Sequence, residues 1–151
     1  MNNNLDENKI DTDNLELASM SSRIKAFIID DLSITLLVMF ILWDQITAAN
    51  GDLIAIMTVM NAAFFQIIMI KFIYQTFFVW YYGATIGKLI SKIRVIDFDN
   101  YGKVSLVNSA IRSAGRIVSE AIFYIGFLIA YYTDSRQTFH DKFGKTLVVN
   151  A

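Results

Sequence analysis

The sequence contains no cysteine and no proline, and only one of its 151 residues is a histidine. Without cysteine the chain has no disulfide, no thiolate nucleophile and no zinc–thiolate site. Without proline, no helix is interrupted by a residue that lacks a backbone N–H. His140 has one acidic neighbour, Asp141. Because zinc takes three or four protein ligands, we expect neither a metal nor another cofactor.

Charged residues are also scarce. They make up 18% of the chain, against 55% hydrophobic residues, and the mean hydropathy is +0.45. Soluble domains average about a quarter charged residues. A soluble chain of this length, enough for one domain, does not bury so much apolar surface in a single core. The composition therefore favours a protein that lies in lipid.

Three apolar segments, at residues 24–43, 53–82 and 106–132, predict membrane helices. About 20 residues of α-helix span the ~30 Å hydrocarbon layer. Residues 1–22, rich in Asn, Asp and Ser, predict a disordered tail before a membrane domain at 23–151. Because the start is acidic and polar, we expect the first apolar segment to be a retained helix and not a cleaved signal.

The polar and basic loop at residues 83–105 carries a strand signal. Its "KIRVID" alternates as a strand does, and "DNYG" is a turn signal. The following "KVSL" and the C-terminal "KTLVV" are both candidate partner strands. The predicted fold is thus an all-α membrane protein, a helical transmembrane bundle with a small cytoplasmic β-ribbon.

The distribution of basic residues predicts the orientation. Arg23 flanks the first segment, the 44–52 link has no Lys or Arg, and residues 83–116 are basic. Basic loops stay in the cytoplasm, so we expect the N-terminus and the 83–105 loop there. A straight third span would place the C-terminal basic residues outside. A helical hairpin bent at Gly115 or Gly126 avoids this, and we favour a cytoplasmic C-terminus.

Ionisable side chains inside the apolar segments are informative, since each costs about 2.5–3.5 kcal/mol on insertion and usually faces protein or water. Arg23 and Asp30 are seven residues apart and share one helix face, whereas Asp31 points about 100° away. Lys71 is expected at a depth similar to that of Asp30, where the two would form an ion pair. The alternative is that its ammonium extends to the lipid headgroups.

Arg112, Arg116 and Glu120 follow one another at steps of four, so they form one polar stripe. One interpretation is a surface helix that binds anionic lipid headgroups. The other is that the stripe faces Asp30 or Asp31 and completes a buried charge network. Both remain open from the sequence.

Motifs for catalysis are weak in this chain. "GATIGKL" has the wrong spacing for a phosphate-binding loop, and Leu follows its Lys where Ser or Thr is needed. A Ser-His-Asp triad lacks a nucleophile elbow. We therefore do not expect an enzyme. The basic loop lies beside a membrane helix, which favours anionic lipid over nucleic acid as a partner.

Several motifs together resemble the RDD family of small bacterial membrane proteins, named for one arginine and two aspartates. They are "RIKAFIIDD", "GATIGKLISKIRVID", "IRSAGR" and "RQTFHDKFGKTLVV", spread over residues 22–149. The resemblance implies that Arg23 is the arginine and Asp30 the first aspartate. It assigns the second aspartate to Asp141, with Asp31 and Asp97 as alternatives. The family's common "GT" stands here as "GKT".

The resemblance implies an inner-membrane location and, for some members, cation/proton exchange. The first hypothesis is therefore transport, in which Asp30 binds a proton or cation and Arg23 modulates its charge. One copy is small for a pathway, so we expect a homo-oligomer or a membrane protein partner. The alternative is a scaffold or assembly factor, in which buried charges specify helix pairing and the ribbon binds a partner or anionic lipid.

Overall fold

The computed structural model describes residues 15–122 and 132–151. This part of the chain is mostly helical with one small antiparallel sheet, which confirms the coarse prediction. The helices are α1 (Met20–Ile41), α2 (Trp43–Ala48), α3 (Leu53–Ala62), α4 (Phe64–Tyr82), α5 (Ile86–Ile90), α6 (Leu106–Ala121) and α7 (Phe139–Phe143). The strands are β1 (Ile93–Asp97) and β2 (Thr146–Asn150).

Helix α1 begins at a cap and buries one narrow face. The Ser19 side chain accepts a hydrogen bond from the backbone N–H of Ser22, which satisfies one free donor of the first turn. The buried residues follow one another at steps of four and are Ala26, Asp30, Ile34 and Val38. The rest of the apolar surface of α1 stays largely exposed, including Phe40 at 80%.

The predicted apolar segment 53–82 is helical almost throughout. Helices α3 and α4 meet at Ala63, and the i to i−4 backbone hydrogen bonds continue on both sides of it. Gly83 ends α4 with φ +72, a left-handed conformation that glycine adopts without a Cβ clash. Among the described residues, α4 is the one helix long and apolar enough to cross a membrane, and only 17% of it is buried. A core helix of a soluble protein would be mostly buried.

Helix α6 is amphipathic in the reverse sense to a soluble helix. Its buried residues are all polar and are Ser109, Arg112, Ser113, Arg116 and Ser119. Its outer surface carries Val107 at 65% and Val118 at 51% exposure. An apolar exterior around a polar interior is the arrangement that lipid favours.

The bend that was predicted at Gly115 is not formed, because α6 is continuous through this residue. The glycine instead allows α6 to pack closely against α7. A Cβ added at Gly115 would be 3.1 Å from the His140 Cβ. The alternative bend at Gly126 lies outside the described residues.

Strand β1 pairs with β2, in a register that runs from Ile93 opposite Asn150 to Asp97 opposite Thr146. The predicted "KTLVV" strand is therefore the partner, and "KVSL" is not a strand. The segment between the turn after β1 and the start of α6 is short. The backbone N–H of Asp97 donates to the Gly102 carbonyl, and Ser105 already caps α6. Too few residues remain between them for a strand.

Residues 15–19 differ from the predicted disordered tail. Leu17 forms a bridge with Val149, and the N–H of Ala18 donates to the carbonyl of Val148 at 3.0 Å. Ala18 is fully buried. The chain therefore runs along β2 before it enters α1, while residues 1–14 lie outside the described residues.

Candidate functional site

Charged side chains from five helices meet in what we call the charge cluster. It joins α1, α4, α5, α6 and α7 through two neighbouring sets of ion pairs, one around Asp141 and one around Asp30 and Glu120. Its members are Arg23, Asp30, Asp31, Lys71, Lys88, Arg112, Arg116, Glu120 and Asp141. The structure thus brings together eight charged residues that the sequence indicated, and adds Lys88.

Asp30 is fully buried, and its carboxylate accepts three hydrogen bonds. The donors are the Tyr74 hydroxyl at 2.8 Å, the Thr85 hydroxyl at 2.6 Å and the backbone N–H of Gly87 at 2.8 Å. Several hydrogen bonds compensate a buried carboxylate for the water it has lost. Asp30 therefore fastens α4 and the start of α5 to α1.

Two cations complete the surroundings of Asp30. Lys88 Nζ and Arg116 Nη1 each lie 3.9 Å from its Oδ2. Burial removes water from the Lys88 ammonium and Arg112 repels it, and together these lower the pKa of Lys88 to about 7 although Asp30 acts in the opposite direction. Lys88 therefore changes its charge near neutral pH.

Asp141 binds two arginines that are far apart in the sequence, Arg23 of α1 and Arg112 of α6. Its Oδ2 accepts from Arg23 Nη1 at 2.7 Å, and its Oδ1 accepts from Arg112 Nε at 3.1 Å and Nη2 at 2.9 Å. It also forms a capping box with Thr138 at the start of α7. Burial alone would raise the pKa of the Asp141 carboxyl, but Arg112 and Arg23 hold it well below its usual range.

His140, next to Asp141, is buried with it. Burial lowers the pKa of the imidazole well below its ordinary value, although Asp141 acts in the opposite direction. The side chain is therefore neutral at pH 7 and adds no positive charge to the two arginines.

A second group of charges lies at the edge of the cluster. Lys71 Nζ is 2.9 Å from Glu120 Oε2 and 3.2 Å from Asp31 Oδ1, and Arg116 Nε is 3.2 Å from Glu120 Oε1. The Asp31 side chain is 42% exposed and that of Lys71 is 24% exposed. These four residues line one recess together with Ile34, Gln75, Ser113 and Ile117.

The expected ion pair between Lys71 and Asp30 is not formed. The Asp30 carboxylate is directed at Thr85 and Gly87 of the α5 region, whereas Asp31 meets Lys71. The two aspartates are adjacent, but successive helical side chains point about 100° apart, so each reaches different partners.

The polar stripe of α6 faces the protein interior. Arg112 is 3% and Arg116 is 5% exposed, so α6 is not a surface helix whose arginine side chains extend away from the protein. Asp97, an alternative for the second family aspartate, lies outside the cluster. Its Oδ1 closes the turn after β1 by accepting from the N–H groups of Asp99 and Asn100.

Tyr74, Thr85 and Lys88 were not predicted from the sequence as part of this site. The last two belong to "GATIGKL", which was considered as a phosphate loop and as part of a family motif, but not as a source of charge-cluster residues. The signal available in the sequence was a threonine and a lysine on either side of Gly87, a residue whose lack of a side chain permits close helix packing. Among the described residues, no three His, Asp or Glu side chains converge as a metal site would require.

Comparison with known proteins gives one match. The family model described as "RDD family" matches residues 17–145, a range that includes Arg23, Asp30 and Asp141. No curated protein and no solved structure matches the chain significantly.

Proposed function

Because this chain belongs to the RDD family, whose members are small membrane proteins, we propose that it is a multi-pass protein of the bacterial inner membrane that exchanges protons for cations. The observation that carries the proposal is the meeting of Asp31 and Glu120 at the Lys71 ammonium, beside a recess. Ionisable side chains at membrane depth commonly mark ion pathways.

In the proposed topology the N-terminus and the β1–β2 sheet face the cytoplasm. The two strands are paired, so the loop after α4 and the C-terminus share one side. The link between α2 and α3 has Asp52 as a cap and no basic residue, which suits the outer side. The apolar exterior of α1, α4 and α6 supports a helical bundle in lipid.

Lys71 is the resident cation of the proposed exchange site. When a monovalent cation binds to Asp31 and Glu120, the Lys71 ammonium releases one proton and its neutral amine moves away. The charge of the site stays the same, because one positive charge leaves as another enters. This coupling of one proton to one cation needs no other reactant.

Asp30 has a positioning role in this mechanism instead of the carrier role expected from the sequence. Its oxygens already accept three hydrogen bonds and face Lys88 and Arg116, so a cation would have to displace several donors. Asp31 and Glu120 are less enclosed, with side chains that are 42% and 15% exposed. They are the carboxylates that a hydrated ion reaches first.

The test is proton-coupled cation flux in vesicles that contain the purified protein, followed with a pH-sensitive dye trapped inside. We expect Glu120→Gln and Lys71→Met to reduce flux to the level of protein-free vesicles, because each removes a partner of the exchange. Asp44→Asn is the matched control, since Asp44 is exposed in α2, and it should keep wild-type flux. Equal flux in all four proteins would refute the proposal.

A non-transporting scaffold is the second candidate. It is favoured by Asp30 and Asp141, whose carboxylate oxygens are all engaged in joining helices. If the wild-type protein gives no flux with any monovalent cation, yet one membrane protein copurifies with it in stoichiometric amounts, the scaffold is the better account.

A further inference from the structure

Arg23 uses only part of its guanidinium on Asp141. Nη1 donates to Asp141, whereas Nε and Nη2 are buried and have no hydrogen-bond partner among the described residues. The side chain is 10% exposed. Nε and Nη2 form the edge of a guanidinium that binds two oxygens of one oxyanion in parallel. Buried donors without partners cost free energy, so this edge indicates a ligand.

Arg112 adds a third such donor. Its Nε and Nη2 bind Asp141, while its Nη1 is buried and has no hydrogen-bond partner among the described residues. One carboxylate thus serves two guanidinium groups, so the three side chains keep one positive charge. His140, the neighbour of Asp141, is neutral at pH 7 and leaves this charge unchanged.

The position of Arg23 suits an anion at the membrane surface. Arg23 is in the first turn of α1, which begins at Met20. The exposed apolar surface of α1 starts with the next residue, Ile24 at 48%, and continues with Ile28 at 57%. Arg23 therefore lies where the lipid-facing surface ends, at the level at which headgroups are expected.

We propose that the free edge of Arg23, with Arg112 beside it, binds a phosphate group, supplied either by the headgroup of an anionic lipid or by free phosphate. The site is separate from the Lys71 exchange site and does not depend on it. Its role is to hold the start of α1 and α6 together at the cytoplasmic surface through Asp141.

The experiment measures thermal unfolding of the full chain in uncharged detergent while phosphatidylglycerol, phosphatidylcholine or inorganic phosphate is added. For a lipid-borne phosphate, phosphatidylglycerol raises the unfolding temperature further as its concentration increases, and inorganic phosphate does not. For a free phosphate ion, inorganic phosphate raises it. Phosphatidylcholine carries the same phosphodiester with a choline cation beside it, so it shows whether the site requires a net negative headgroup. A wild-type protein that responds to neither anion overturns the proposal.

Arg23→Lys is the diagnostic variant, because it keeps the charge and one bond to Asp141 but loses the two-pronged edge. We expect it to weaken binding of the responsive anion by at least about tenfold, because both charge-assisted hydrogen bonds of that edge are lost. Lys25→Gln, an exposed charge in the same turn, should change binding less than about twofold. An equal loss in both variants would indicate general charge attraction and overturn the site.

Arg112→Lys covers the case in which Arg23→Lys does not fold. It removes the unpartnered Nη1 and should also weaken anion binding, although less than Arg23→Lys because only one donor is lost. Unchanged anion binding in a folded Arg112→Lys protein, together with an unfolded Arg23→Lys protein, counts against the site. A variant that loses ion flux but still binds the anion would bear on the proposed function and not on this anion site.

Discussion

Adjacent side chains in α1 have separate roles. Asp30 is fully buried and fastens α4 and α5, whereas Asp31 is partly exposed and binds Lys71. On α6, Arg116 connects the two carboxylates Asp30 and Glu120. Its Nη1 faces Asp30, and its Nε binds Glu120. Each carboxylate of the cluster is matched by nearby cations, which is the condition for charges to remain buried.

The burial of Lys88 predicts a pH-dependent stability. Its pKa falls from 10.5 to about 7 on folding, so between these values the unfolded chain binds one more proton. Stability therefore rises with pH across this window. Lys88→Met should remove that rise, as measured by unfolding temperature in detergent from pH 7 to 10.

Lys142→Met provides the comparison for this pH series, because Lys142 is an exposed lysine of α7. It should keep the wild-type rise with pH. If Lys88→Met and wild-type protein gained stability in parallel over the whole range, Lys88 would not be the titrating group.

Helix packing around the cluster depends on one close approach. Helix α5 lies on α1 at Gly87, where an added Cβ would collide with the Ala26 carbonyl and lie 2.9 Å from the Asp30 carboxyl. No small rotation of α5 relieves this, since the Gly87 N–H also donates to Asp30. A side chain at this position would separate the two helices.

We therefore expect Gly87→Ala to destabilise the protein by roughly 1–3 kcal/mol or more, as forced overpacking does. The measurement is unfolding in detergent, with flux as a second readout. Gly51→Ala is the control, because its φ of +80 costs some backbone strain but nothing lies within 4 Å of the added Cβ. A Gly87→Ala protein as stable as the wild type would show that α5 is not packed on α1 as described.

The part of the molecule that the structure describes combines an apolar exterior with a cluster of buried charges and a small sheet. Residues 15–19, β1 and β2 all meet in that sheet, so the start of α1, the loop after α4 and the end of the chain are together. The contacts among these three segments restrict the possible membrane topologies more than the number of apolar segments does.

Single cysteines test this arrangement, and the cysteine-free chain makes each label unambiguous. Cysteines at Asp99 and at Asn150 should react with a membrane-impermeant reagent only from the cytoplasmic side. A cysteine at Asn50, in the α2–α3 link, should react only from outside. Labelling of positions 99 and 150 from opposite sides would contradict the paired strands.

The local pattern of the sequence determined much of this fold. Apolar runs predicted the helical segments, alternation predicted β1, and a short strand-like run made β2 a candidate partner. Steps of four placed Arg112, Arg116 and Glu120 on one face. These features depend on the backbone period of a single element. The full transmembrane bundle and its orientation remain predictions at this level.

Only the tertiary structure decided which faces meet. Asp31 and not Asp30 pairs with Lys71, Lys88 joins the cluster, and residues 15–19 lie along β2. Periodicity fixes the direction of a side chain about its own helix, but the distance between two helices depends on packing contacts such as Gly87 on Ala26. Partners distant in sequence, such as Arg23 and Asp141, are set by that packing and by the chain's need to neutralise buried charge.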